Sequence, residues 1–245
     1  MNDAIKKITG FFSVFILSLI LIPGVYGSLN ETIPVPEVSA KDSAVVPKER
    51  TAKWWVRRHN SRLKIITNQK IVFIGDSITH GWEYSEFWQL LNKLYDNRIT
   101  NLGFSSDHTQ HVIWRLENGE YPAGINPEYV VLMIGTNNPQ KPESIAAGIG
   151  KIIRIISKNS PDAKIILFSL LPCGSGSTDE ISVKNKAVNE IIKNYDGRLN
   201  VTYADIENLY LEEDGTLKEE LFTDKLHLSV AGYSIWMSKL IEIIE

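Results

Sequence analysis

Four short stretches of the 245-residue chain hold residue types that could do nucleophilic chemistry together. The first is Gly75-Asp76-Ser77, directly after the apolar run Ile71-Val72-Phe73-Ile74. A glycine at the end of a buried strand permits a sharp turn, and a serine just beyond it is well placed to be presented as a nucleophile. A free hydroxyl is a weak nucleophile at neutral pH, so Ser77 needs a base. Of the five histidines, His59, His80, His108, His111 and His227, only the last has a carboxylate three residues before it, in Asp224-Lys225-Leu226-His227. A carboxylate there could fix the imidazole tautomer and stabilise the imidazolium formed when His227 takes the serine proton. His80, three residues past Ser77, reads as pocket rim, and His108 and His111 as a polar helix face. A tetrahedral intermediate also requires donors for its oxyanion. The candidates are the backbone amides of Ser77 and Gly103 and the side-chain amide of Asn137, in Gly135-Thr136-Asn137-Asn138. Each motif alone also fits an ordinary turn, cap or surface histidine.

The elements that must position these residues follow from hydrophobic periodicity. Ile71 to Ile74 and Tyr129 to Ile134 are continuously apolar, as strands buried on both faces are. Arg98 to Leu102, Lys164 to Leu171 and Asn200 to Ala204 give three further strands. Helices are expected over Glu49 to Ile66, Tyr84 to Tyr95, Thr109 to Glu117, Ser144 to Ser157, Ile181 to Tyr195 and Val230 to Ile244, the last N-capped by Ser229. Single helices between strands imply parallel pairing in a three-layer α/β/α sandwich with a five-stranded sheet. Three strands end at Gly75, Gly103 and Gly135, so their polar clusters can converge on one edge of the sheet.

The blocks Gly75-Asp76-Ser77-Ile78, Asn101-Leu102-Gly103, Gly135-Thr136-Asn137-Asn138 and Asp224-Lys225-Leu226-His227 resemble, in order, those of the SGNH (GDSL) hydrolase family. The resemblance implies Ser77 as nucleophile, Asp224 and His227 completing a triad, and Ser77, Gly103 and Asn137 as oxyanion donors, on a flavodoxin-like fold. Asp107 to Gly119 and Trp54 to Leu63 are similar to helices of the platelet-activating-factor acetylhydrolase catalytic subunits. That likeness implies pairing as a homodimer. Where the family has glycines after its second block, this chain has Phe104-Ser105-Ser106. The expected activity is hydrolysis of short acyl esters, probed first with carbohydrate O-acetyl groups and second with lipid esters. Trp82, Tyr84 and Trp88 could stack on a sugar or fill the core. A carbohydrate-binding module on an inactive hydrolase fold is the rival from another class, and the intact set of site residues argues against it.

Composition bounds the alternatives. A net charge of −3 supplies no general attraction to nucleic acid, and Arg57-Arg58-His59 reads as a solvated helix face. The single cysteine, Cys173, excludes an internal disulfide and a cysteine-based zinc site. No HExxH, CxxC or GxxxxGK motif supports a metal or nucleotide cofactor, so none is expected and a small-molecule or carbohydrate ester is the expected partner. Lys6 and Lys7 precede the apolar run Phe11 to Ile22 and then Pro23-Gly24-Val25-Tyr26-Gly27, the pattern of a signal peptide over residues 1–27. The chain is therefore expected to be secreted or periplasmic, with no membrane span after cleavage. Residues 28–48, with three prolines, read as a flexible leader to a hydrolase domain over 49–245.

Overall fold

The computed structural model describes residues 32–245, so the expected signal peptide and the start of the leader lie outside the described residues. Strands β1 (Ile71–Gly75), β2 (Ile99–Gly103), β3 (Tyr129–Met133), β4 (Lys164–Phe168) and β5 (Val201–Ala204) form one parallel sheet in the order β2-β1-β3-β4-β5. This is the expected α/β sheet. Its register aligns Gly75 with Gly103 on one side and with Met133 on the other. The strand order reverses at β1, and in such sheets a crevice opens outside the carboxyl ends at that point.

Seven α-helices are described: α1 (Lys53–Arg62), α2 (Ser77–His80), α3 (Glu86–Leu94), α4 (Thr109–Arg115), α5 (Pro142–Asn159), α6 (Glu180–Ile192) and α7 (Val230–Ile244). Helices α4, α5 and α6 lie side by side, and α3 packs with α7. Beneath α3 and α7 sits an aromatic cluster in which Trp82 meets Phe73 at 5.4 Å and Trp236 at 5.3 Å, and Trp236 meets Phe168 at 5.4 Å. Trp82 is fully buried and Trp88 packs edge-on against Phe73, so both belong to the core.

Two expectations are corrected. Residues 32–48 are extended but docked: Ile33 and Ala44 are buried, Thr109 Oγ1 donates to Ala44 O, and Ser144 Oγ donates to Asp42 Oδ2. Apolar side chains interleaved with the prolines give this stretch something to bury. The Arg57-Arg58-His59 face is not uniformly solvated either. Arg58 pairs through both nitrogens with Glu83 and donates to Gly103 O, while His59 is buried against Glu120.

Those contacts belong to a buried ionic network that ties α1 to the turn after β2. Arg115 Nε donates to Asp107 Oδ2 at 2.9 Å, its Nη1 to Glu120 and its Nη2 to Leu102 O. Trp55 Nε1 and Arg50 donate to the other oxygen of Asp107 at 2.8 Å and 3.0 Å. Burial pushes the Asp107 carboxyl up, and Arg115 with these donors acts against it. The Arg115 guanidinium also covers the Phe104 ring at 3.9 Å. Removing one partner of a buried pair leaves an uncompensated charge and costs about 3–5 kcal/mol. Arg115→Ala should therefore lower unfolding free energy by about that amount in urea denaturation. A loss under about 1 kcal/mol would show that the network does not hold the turn.

Candidate active site

Gly75 ends β1 where a Cβ would fall 2.0 Å from Thr79 Oγ1 and 2.3 Å from Met133 O. Only glycine lets α2 start this close to β3. Asp76 N-caps α2, its Oδ1 accepting from Ile78 N–H at 3.0 Å. Its carboxyl is wholly buried, and that burial pushes it up to about 7, with the Ile78 bond opposing. Tyr233 OH donates to Ile78 O at 2.7 Å and so anchors α2 to α7. Ser77 is the first residue of α2, where a backbone N–H has no intrahelical acceptor.

Asp224 and His227 come from the turn before α7. An antiparallel bridge between Phe222 and Leu228 and the Thr223 N–H to His227 O bond of 2.7 Å close that turn. Asp224 Oδ1 accepts from the backbone amides of Leu226 and His227, and its Oδ2 pairs with His227 Nδ1 at 2.7 Å. His227 Nε2 lies 3.0 Å from Ser77 Oγ, across 150 residues of sequence. The bond from the His227 ring, then those from the amides, hold the Asp224 carboxyl below its ordinary range although it is exposed. Its anionic form therefore persists through mildly acid pH. Such a chain lets an imidazole accept the serine proton while its charge is balanced by the carboxylate.

The turn after β2 is held from both sides. Asn101 Nδ2 donates to Thr79 O at 2.7 Å and its Oδ1 accepts from Gly103 N–H at 2.7 Å. A Cβ on Gly103 would lie 2.4 Å from His80 N. Gly103 is thus a close-packing residue under α2 whose amide is already used, which corrects its expected role as an open oxyanion donor. Phe104 N–H continues the edge by donating to Gly75 O. Ser106, at the tip of the turn, has φ +61°, and its amide donates to no other described residue. A non-glycine residue in the left-handed region stores strain of about 1–3 kcal/mol and persists where its surroundings impose it.

Asn137 follows β3, and its Nδ2 donates to Asp107 O at 3.2 Å, linking the two turns. The adjacent Asn138 is fully buried and receives Thr109 N–H at Oδ1, so it caps α4. Its Nδ2 reaches Thr109 Oγ1 and Gln140. His108 and His111 flank this cap, with His111 Nδ1 accepting from His108 N–H. His111 is buried rather than on an open polar face, and burial followed by His108 lowers it to about 3.

Helix α6 contributes a part that motif reading missed. Beside Val188 and Ile192, its buried face carries three polar residues, Ser182, Asn185 and Asn189. They serve the backbone of Cys173, Leu171 and Leu170 as the chain leaves β4. The signal was present in sequence, because spacings of three and four put these three residues on one helix face.

Ser77 opens into a groove of about 380 Å³ lined on one side by His80, Tyr84 and Ser105 and on the other by Thr223, Leu228, Val230 and Tyr233. No lysine, arginine, aspartate or glutamate lines it. His80 Nδ1 lies 3.1 Å from Ser105 Oγ, and burial together with Arg58 lowers its ring to about 4. It forms the rim, as expected, and stays neutral near pH 7. Tyr84 is 81% exposed at the mouth.

Comparison with known proteins gives the family of this chain. The model of the GDSL-like Lipase/Acylhydrolase family matches residues 73–235. Platelet-activating factor acetylhydrolase IB subunit alpha2 of Rattus norvegicus is 34% identical over 78% of this chain and 83% of its own length. Subunit alpha1 of Homo sapiens is 35% identical over 67% of this chain and 71% of its own. Among solved structures, one from Streptococcus pneumonia, described as a platelet activating factor protein, superposes with TM-score 0.64 at 23% identity, covering 78% of this chain and 92% of that one. An acetylxylan esterase variant from Geobacillus stearothermophilus superposes with TM-score 0.55 at 21% identity over 72% and 94%. The serine turn, the parallel sheet and these matches make the chain an ester hydrolase that belongs to the GDSL-like lipase/acylhydrolase (SGNH) family.

Proposed function

We propose that this chain is an exported serine esterase that removes short acyl groups, above all O-acetyl, from neutral carbohydrate through Ser77, His227 and Asp224. The observation that carries the reading is the continuous Ser77–His227–Asp224 chain of 3.0 Å and 2.7 Å contacts opening into the groove. Ser77 Oγ attacks the ester carbonyl as His227 Nε2 takes its proton, and the negative charge moves to the carbonyl oxygen. On collapse, the alkoxide leaves with the proton from His227, and an acyl-Ser77 remains. Water, deprotonated by the same imidazole, then releases the acid and restores Ser77.

The developing oxyanion needs donors that are not already spent. The Ser77 N–H and the second hydrogen of Asn137 Nδ2 meet that requirement. In place of Gly103, the Ser106 N–H is the third donor: its backbone is held in the left-handed region beside Ser105, which lines the groove.

Substrate preference follows from the lining. A groove without lysine or arginine offers no ion-pair partner to a phosphate or a carboxylate. Tyr84, exposed at the mouth, supplies a flat apolar face with a polar tip, a surface suited to a sugar ring. A lipid-directed acylhydrolase is the second reading, favoured by the apolar wall of Leu228 and Val230 and by the names of the acetylhydrolase relatives. Export rests on the signal-peptide pattern of residues 1–27. Among the described residues no helix is long and apolar enough to cross a membrane.

Ser77→Ala should remain folded and lose hydrolysis of p-nitrophenyl acetate by at least about 10⁴-fold. Turnover at the wild-type rate would overturn the serine mechanism. Ser106→Gly should raise the unfolding free energy, since it removes about 1 kcal/mol of backbone strain, and keep kcat, because the amide is retained. A large fall in kcat would move the role to the serine side chain. Acetate release should be faster from acetylated xylooligosaccharide than from an acetylated ether phospholipid. Tyr84→Ala should raise KM for the oligosaccharide by about threefold to tenfold and leave p-nitrophenyl acetate unaffected. The opposite ranking of the two substrates selects the lipid reading.

A further inference from the structure

The Lys184 ammonium, one turn into α6, reaches across to the turn that carries Asn137. Its Nζ donates to Thr136 O at 2.8 Å and to Asn138 O at 2.8 Å. These are the carbonyls on either side of Asn137, so a single cation grips both flanks of that residue. Asn185, the next residue on α6, adds a bond from its Nδ2 to Thr136 Oγ1 at 3.3 Å and another to Leu171 O. The side chain of Lys184 is half-buried and no carboxylate forms an ion pair with it among the described residues. A partly buried ammonium facing two carbonyl dipoles makes strong charge-assisted bonds, about twice a neutral one.

Orientation is what this grip determines. The Thr136 carbonyl belongs to the peptide plane before Asn137 and the Asn138 carbonyl to the plane one residue beyond it, so the grip spans the turn across Asn137 and restricts the direction in which its Cα–Cβ bond leaves the backbone. The carboxamide then bridges to Asp107 O on one side and keeps a second N–H without an acceptor among the described residues. The adjacent Asn138 caps α4, so the same grip also fixes the turn after β2 relative to β3. A donor displaced by about 1 Å loses much of its effect on a transition-state charge, since stabilisation depends on preorganised geometry.

We propose that Lys184 is a positioning residue for ester hydrolysis, acting through Asn137 by holding the Thr136 and Asn138 carbonyls. The inference rests on the reading of Asn137 as an oxyanion donor, and a double-mutant cycle on p-nitrophenyl acetate tests the two separately. Asn137→Ala should lower kcat by about 10²–10³-fold. Lys184→Met should lower kcat by about 10–100-fold with KM within about twofold, because the donor is needed in the transition state more than in the bound ester. Lys184→Arg, which restores a cation with several donors, should recover most of that loss. The variant carrying both Lys184→Met and Asn137→Ala should be no slower than Asn137→Ala alone. Thermal melting verifies that each variant is folded, and Lys184→Gln replaces Lys184→Met if the latter does not fold. Wild-type kcat in Asn137→Ala removes the donor reading of Asn137. A slow Asn137→Ala with undiminished Lys184→Met, or with losses that multiply in the double variant, overturns the role of Lys184.

Discussion

The structure depends on how the carboxyl edge of the sheet satisfies its own backbone. Where β1 to β4 end, the ladder stops and their amides and carbonyls lose their partners while still buried. Side chains take over that task strand by strand. Asn101 serves Thr79 and Gly103, Asn138 serves Thr109, and Asn185 and Asn189 serve Leu170 and Leu171. Each of these side chains also connects one turn to another. Satisfying the edge and aligning the turns that hold Ser77 and Asn137 are therefore one operation. An unsatisfied buried amide costs about 1–3 kcal/mol, which is enough to make this edge stiff.

Behind that edge lies a second frame made of charge. Asp107, Arg115 and Glu120 are buried together and anchored to α1 through Trp55 and His59, while Arg58 of the same helix holds Gly103 O. Ions so deep seldom add net stability compared with apolar residues of equal size, and what they supply is a single geometry. The geometry here is that of the turn from Gly103 to Asp107, with Phe104 held under the Arg115 guanidinium. Stiffness in this turn explains how Ser106 keeps a left-handed backbone without being glycine.

By contrast, the proposed base sits on a loop at the surface. Asp224 is exposed and His227 half-buried, and three hydrogen bonds within the turn orient them. Ser77 and the proposed oxyanion side are thus recessed within the frame, while the proposed base, His227, lies nearer to solvent. The groove between them is lined by no charged lysine, arginine, aspartate or glutamate, and Tyr84 stands exposed at its mouth.

The order of elements was legible because parallel strands buried on both faces are continuously apolar, as Ile71 to Ile74 and Tyr129 to Met133 are. Four motifs in order were enough to name Ser77, Asn137, Asp224 and His227 as candidates, since the ordered set is far more specific than any one motif. What sequence could not tell was which amides are free. Gly103 carries the family's glycine in a motif, yet Asn101 takes its N–H and α2 lies on its Cα, and both facts belong to contacts between separate elements. In the same way His59, Arg58 and residues 32–48 look solvated in sequence and are docked in space, because neighbours distant in the chain supply the partners that make burial possible. Local periodicity and residue chemistry were enough for the fold class and for naming the proposed reacting groups. Which hydrogen-bond donors are spent on the frame was visible in three dimensions alone, because it depends on groups brought together from opposite ends of the chain.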